Sequence, residues 1–267
     1  MYQSHWGLDQ APFRTDLDPR FFYQGPTHDE ALARLHFLVE QRRRMGLLLG
    51  EHGSGKSLLL LVFAEEIRRQ GLPVAQVSLL GVEPSEFPAL LAMHLEMNLP
   101  RGAPFHVIWR SIDDRLAEYR YQRVRSVVLL DDADRAKPDV LAQVARLAQL
   151  QQGPDSPLTL VLAARPRQAG QLGHSLLERV ELRIDLGPWD EADTENFLKT
   201  SLCRAGGHLP IFAPSAISRL HALGEGIPRR ITQLADLSLL AGAGRRMHEI
   251  DVETVESVYQ ELGVIEV

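Results

Sequence analysis

Gly50-Glu51-His52-Gly53-Ser54-Gly55-Lys56-Ser57 fits the pattern G-x-x-x-x-G-K-S without a gap, and residues of these types in this order suit the holding of a phosphate chain. Glycines let the backbone turn tightly and aim its N–H groups at phosphate oxygens. The spacing assigns Lys56 to the β- and γ-phosphates and Ser57 to Mg²⁺, with Leu58 opening the helix behind the loop. A second constellation is Val127-Val128-Leu129-Leu130-Asp131-Asp132, four buried-strand residues ending in two carboxylates. In that pattern the first Asp orients Mg²⁺ and the next residue polarises an attacking water. Asp131 is therefore the metal candidate and Asp132 the catalytic base.

The surrounding elements match this chemistry. Met45–Leu49 reads as a buried strand entering the loop, and 58–70 as the helix leaving it, whose N-terminal dipole end favours anions. Thr27-His28-Asp29-Glu30 reads as a capping box for a helix over 28–44, closed by Arg42-Arg43-Arg44. Those three cations are either dipole-complementing solvent residues or a DNA contact. Further strands are expected at 74–80, 127–130, 159–163 and 181–186, with helices near 85–97, 104–122, 138–151 and 169–179 in the crossovers. Alternation of this kind implies a mostly parallel sheet with helices on both faces, with an extra strand between the loop's strand and the carboxylate strand. From Gly187 onward only helical patterns remain: one capped by Asp190, one starting at Pro214, one near Pro228 and one capped by Asp251. The expected division is an α/β nucleotide-binding domain over 1–187, including an irregular, Pro-punctuated aromatic segment 1–27, and a helical lid over 188–267. That first segment either packs on the domain surface or walls a base pocket.

Composition sets outer bounds. A chain of 267 residues, 45% hydrophobic and 24% charged, can bury a substantial core. Its longest apolar run, Leu58 to Ala64, is too short to span a bilayer, and the start lacks a basic segment leading into an apolar one, so a cytoplasmic location is expected. Cys203 is the single cysteine, which excludes intrachain disulfides and suggests a buried free thiol. The net charge of −6 argues mildly against non-specific nucleic-acid binding, although a local basic patch escapes that test. Gly173-His174-Ser175 begins like a nucleophile elbow but lacks its final glycine. No histidine or cysteine spacing suits a transition metal, and Gln151–Asp155 reads as an ordinary loop.

Phe13, Asp18-Pro19-Arg20-Phe21-Phe22-Tyr23, His28-Asp29-Glu30-Ala31-Leu32, the phosphate loop and Gly226-Ile227-Pro228-Arg229-Arg230-Ile231 together resemble AAA+ ATPases of the general secretion pathway protein A (ExeA/GspA) type, which are related to transposition-regulator ATPases. The resemblance covers nearly the whole chain. It implies a P-loop NTPase core with a helical lid, ATP with Mg²⁺ at their junction, and homo-oligomers in which a neighbour completes each site. Relatives act in envelope secretion, pilus biogenesis and control of transposition, so a secretion or pilus protein is the implied partner and DNA the lesser alternative. By position, Arg229 looks like the lid arginine that senses the γ-phosphate, with Arg230 a structural neighbour. Arg179 looks like a finger acting on the adjacent subunit's ATP, the alternative being a salt-bridged surface arginine. Tyr23 and His28 either approach adenine or simply pack. Two departures stand out. Relatives usually carry Glu where this chain has Asp132, which points to slow hydrolysis, and their polar strand-four sensor falls here on Ala164-Arg165-Pro166, where Arg165 either stabilises γ-phosphate charge or is merely exposed. ExeA-like members often continue into a membrane span and a peptidoglycan-binding module; here the sequence stops after the lid, so direct wall binding is not expected.

Overall fold

The computed structural model describes residues 2–100, 102–150, 156–207 and 210–263. In chain order its elements are α1 (Tyr2–Trp6), α2 (Pro26–Glu40), β1 (Met45–Gly50), α3 (Lys56–Arg69), β2 (Val74–Ser78), α4 (Phe87–His94), α5 (Phe105–Tyr121), β3 (Ser126–Asp131), α6 (Pro138–Leu150), β4 (Leu158–Ala164), α7 (His174–Leu177), β5 (Leu182–Leu186), α8 (Glu191–Arg204), α9 (Pro214–Gly224), α10 (Pro228–Gly244) and α11 (Val252–Gly263).

The strands form one parallel sheet in the order β2-β3-β4-β1-β5. Burial on both faces explains why β1, β3 and β4 read as continuous apolar runs rather than alternating ones. Alternation survives within them as a choice of face. Met45, Leu47 and Leu49 join the core that Phe87, Trp109, Ile112, Val140 and Val144 of α4, α5 and α6 complete. Gly46 lies on the opposite face, where an added Cβ would come within 2.3 Å of Leu38 on α2. The intervening strand expected between the loop's strand and the carboxylate strand, β2, instead takes the far edge beside β3, and β4, which comes after both in sequence, lies between β1 and β3.

The chain divides into two compact units, one of Met1–Thr27, Gly53–Gly55 and Gly187–Val267, the other of His28–His52 and Lys56–Leu186. In the first, α8 to α11 surround a core of Phe197, Leu198, Leu220, Ile231, Leu234 and Val255, and Leu8 and Phe13 from the N-terminal segment enter that same core. Segment 1–27 thus packs with the helical unit, not with the α/β unit to which the sequence reading attached it. Tyr2 donates to Asp236 at 2.6 Å, and the Trp6 indole donates to the Leu239 carbonyl at 2.9 Å, both on α10. The expected Asp190 cap is present and forms a capping box, with its carboxylate accepting from the Asp193 N–H at 2.7 Å.

Local differences from expectation have simple causes. Helix α2 starts at Pro26, whose missing N–H costs nothing in a first turn, so Thr27 lies inside the helix instead of capping it. The helix ends at Glu40, and Arg42 adopts φ 53°, so Arg42 to Arg44 follow the helix and do not form its last turn. The helix expected over 169–179 is a 3₁₀ segment, Pro166–Leu172, followed by the short α7; Gly173, at φ 79°, separates them. Cys203 is exposed, since it sits one position past buried Leu202 on α8. The loop reading at 151–155 lies outside the described residues.

Candidate nucleotide-binding site

In a parallel sheet every strand ends on the same edge, so the residues that follow β1, β3 and β4 meet there whatever their separation in sequence. Gly50 ends β1, Asp131 ends β3 and Arg165 follows β4. The fold therefore brings Lys56, Ser57, Asp131, Asp132 and Arg165 to one edge, as their strand-end positions require.

Lys56 and Ser57 form the first turn of the 14-residue helix α3. The Lys56 ammonium donates to the carbonyls of Gly50 at 2.7 Å and Glu51 at 3.0 Å, which folds its stem back over the loop. Burial depresses its pKa, while Asp131, Asp134, Asp132 and Glu51 act in the opposite direction. Asp131 is buried, and desolvation pushes its carboxyl upward against the Ser57 hydroxyl and the Asp132 N–H, which both donate to it. The Asp132 N–H reaches Asp131 Oδ1 at 2.9 Å. A hydroxyl and a carboxylate at one edge of the sheet suit Mg²⁺, which keeps most of its waters and needs only one or two protein oxygens beside phosphate.

Asp132 adopts the left-handed conformation at φ 52°, which Asp tolerates better than most residues. Its Oδ2 accepts from the Ser78 hydroxyl at 3.1 Å. Register explains the contact: Ser78 ends β2 directly beside Asp131 on β3. Ser78 was not picked out from the sequence, and the one signal for it is a hydroxyl ending the apolar strand Val74–Ser78. Asp134 was also missed. Its side chain is only 2% exposed and pairs with the Arg165 guanidinium at 2.6 Å. Arg165 is therefore partly buried at the site's edge and held by a carboxylate.

Gly53–Gly55 groups with the helical unit. Gly53 and Gly55 take φ 83° and 96°, conformations that need glycine. Within that unit the Arg229 N–H donates to the Gly53 carbonyl at 3.1 Å, and a Cβ on Gly53 would meet the Arg229 Cβ at 2.8 Å. His52 and Ser54 complete the turn, Ser54 buried. Arg230 pairs with Glu225 at 2.5 Å, consistent with a structural neighbour's part.

The remaining candidates lie apart from this edge or belong to different units. Tyr23 packs edge-on against Trp189 and Phe197, with ring centroids 5.3 and 5.8 Å away, inside the helical unit. His28 is buried in α2 of the α/β unit. Arg179 precedes β5, and so stands at the start edge of the sheet, opposite the phosphate loop; its Nε donates to the Ser175 carbonyl at 3.1 Å. There it lines a cavity of about 230 Å³ with Arg44, Glu178 and Glu181.

Comparison with known proteins agrees with this fold. The description "AAA domain" matches residues 39–172. General secretion pathway protein A of Aeromonas hydrophila is 31% identical over 256 residues, covering 94% of this chain and 46% of that protein. The chain thus spans less than half the length of this relative. Among solved structures, Aeropyrum pernix ORC1 in complex with DNA is similar at a TM-score of 0.69 with 18% identity, covering 91% of this chain and 67% of the other. Drosophila ORC bound to DNA gives 0.72 with 15% identity, over 98% and 65%. The Thermotoga maritima RuvB Holliday junction branch migration motor gives 0.58 with 17% identity, over 95% and 74%. At these identities the likeness concerns the fold.

Proposed function

The chain belongs to the AAA-domain family, an AAA+ ATPase related to general secretion pathway protein A, and we propose that it binds ATP with Mg²⁺, hydrolyses it slowly, and couples nucleotide state to conformational change or assembly in an envelope secretion or pilus-type system. The observation that carries this reading is the meeting of Lys56, Ser57, Asp131 and Asp132 at one edge of the sheet, with the Ser57 hydroxyl among the groups that favour the charged Asp131 carboxylate. Bound with nucleotide, Mg²⁺ would neutralise charge across the β- and γ-phosphate oxygens. Lys56 leaves the carbonyls of Gly50 and Glu51 for those phosphates. Loop N–H groups from Gly53 to Ser57 receive their oxygens. Asp132 takes the proton of the attacking water, and Arg229 reads the γ-phosphate through a charge-assisted contact.

Slow turnover is the expected consequence of Asp132. Its side chain is one methylene shorter than the usual Glu, and Ser78 holds one of its oxygens. A misplacement of about 1 Å can cost roughly 100-fold in rate. A switch that binds ATP, assembles and barely hydrolyses is the second reading, favoured by this same contact.

Arg179 is assigned to a neighbouring subunit's ATP. Five or six strand residues, about 3.3 Å each, separate its edge of the sheet from Lys56 of the same chain, so it serves a neighbour's site better than its own. The testing experiment is steady-state phosphate release with Mg²⁺-ATP across protein concentrations, beside Lys56→Ala. Turnover that rises with concentration and vanishes in the variant is expected for a subunit-shared ATPase. Tight ATP binding without turnover at any concentration would select the switch instead. Turnover unchanged in Lys56→Ala would sink both.

A further inference from the structure

Asp134 lies just past Asp131 and Asp132, yet neither the metal nor the base role falls to it. It sits in a 3₁₀ turn, Ala133–Arg135, that follows β3 and begins at the left-handed Asp132. The turn directs Ala133 and Asp134 inward, and both are buried. A carboxylate only 2% exposed needs a partner to stay ionised, and that partner is Arg165 Nε at 2.6 Å.

A strut between two strand ends explains the pair only in part. Apolar residues of similar volume in place of a buried ion pair are often neutral or stabilising, so such a pair is poor glue. The form of the contact says more. Arg165 is engaged through Nε, and among the described residues its Nη1 and Nη2 have no hydrogen-bond partner. The guanidinium is planar, so a carboxylate on Nε fixes its plane and leaves the end-on fork, one N–H from each Nη, facing away from Asp134. With the Arg165 side chain 33% exposed, that fork is open to a ligand. Asp134 also acts by charge on the Lys56 ammonium, more strongly than Asp132 does. One buried carboxylate thus acts on both the lysine assigned to the phosphates and the arginine with a free fork.

Resting on the ATP reading above, we propose that Asp134 is a positioning residue that turns the Arg165 fork toward the terminal phosphate of a bound nucleoside triphosphate, and that this pair sets the preference for triphosphate over diphosphate. Guanidinium forks match phosphate oxygens in both geometry and charge. A diphosphate ends short of the fork, so only the triphosphate gains the contact.

The test is calorimetric titration of Mg²⁺-ADP, and of Mg²⁺ with a non-hydrolysable ATP analogue, into the full chain and its variants. Wild type should bind the analogue more tightly than ADP. Asp134→Asn keeps the shape and an acceptor but loses the charge that holds Nε. Its affinity for the analogue should fall by about tenfold, the scale of a lost charged hydrogen bond, with ADP affinity unchanged. Arg165→Gln should give the same selective loss, and the two exchanges combined should add little, because Asp134 acts through Arg165. Should Asp134→Asn fail to fold, Arg165→Lys, which keeps the charge pair but lacks the fork, reads the same loss. An unchanged ratio of analogue to ADP affinity in a folded variant, an equal loss for both nucleotides, or fully additive losses overturns the positioning role. Wild type binding neither nucleotide overturns the ATP reading itself, and this inference with it.

Discussion

Asp132 stands at φ 52° one residue past β3, and Ser78 donates to its Oδ2, so the proposed base is held by backbone and neighbour alike. Asp132→Asn should keep ATP affinity and lose turnover by about 100-fold or more, as loss of a positioned base does; normal hydrolysis in that variant would remove Asp132 from the role. Asp132→Glu should raise turnover by about tenfold, because the longer arm reaches further toward the water. Ser78→Ala should raise basal turnover several-fold by freeing the carboxylate, and a loss of turnover would show that Ser78 orients the base instead of restraining it. Asp131 gives a pH signature. Burial raises its folded pKa above the ordinary carboxylate value, so the folded state holds the extra proton between the two values. Stability from this group is then lost as pH rises through that window. Denaturation of wild type and Asp131→Asn from pH 4 to 7 should show the variant gaining relative to wild type as pH rises. Lys56 runs in the other direction: burial lowers its folded pKa, so its penalty is present at neutral pH and relieved only as pH rises through the lowered value.

Among the elements, the N-terminal segment departs most from its sequence reading. Phe13 is 4% exposed and packs 5.8 Å from Phe197 and 6.2 Å from Phe212 by ring centroid. Phe13→Ala should destabilise the helical unit by about 3 kcal/mol, the usual cost of a deleted core aromatic, and denaturant unfolding of the full chain measures it. An unchanged unfolding curve would mean that segment 1–27 is dispensable packing. Gly226 is held at φ 68°, and a Cβ there would come within 2.4 Å of the Trp189 carbonyl, whose residue also donates its N–H to Gly226 at 2.8 Å. The glycine of the Gly226-to-Ile231 run is thus explained by close backbone approach, and the arginines that follow it begin α10.

For the whole molecule, the edge on which Arg179 stands sets the prediction. Arg179→Ala should bind ATP normally yet turn over about 10³-fold more slowly, the scale of a lost finger. Mixed with Lys56→Ala, which keeps Arg179 but loses nucleotide, it should recover activity, since each chain supplies what its neighbour lacks. Failure to recover in the mixture would return Arg179 to a surface role, held by the Ser175 carbonyl. Among the described residues no helix is long and apolar enough to cross a membrane.

The phosphate loop, the two carboxylates and the alternation of strands and helices were legible in the residues because each rests on local rules: a glycine where φ must be positive, a lysine at a helix start, an apolar run ending in Asp. Sequence by itself therefore determined the class of fold and the core of the candidate site. It also determined all four C-terminal helices, whose caps and apolar spacing are local too. Only the tertiary structure decided which distant groups complete the site. Ser78 reaches Asp132 through strand register, and Asp134 holds Arg165 because both follow strand ends on one edge. The same holds for segment 1–27, whose aromatic residues are compatible with either unit until packing selects one. Residues this far apart in sequence meet through long-range packing, which no local pattern encodes.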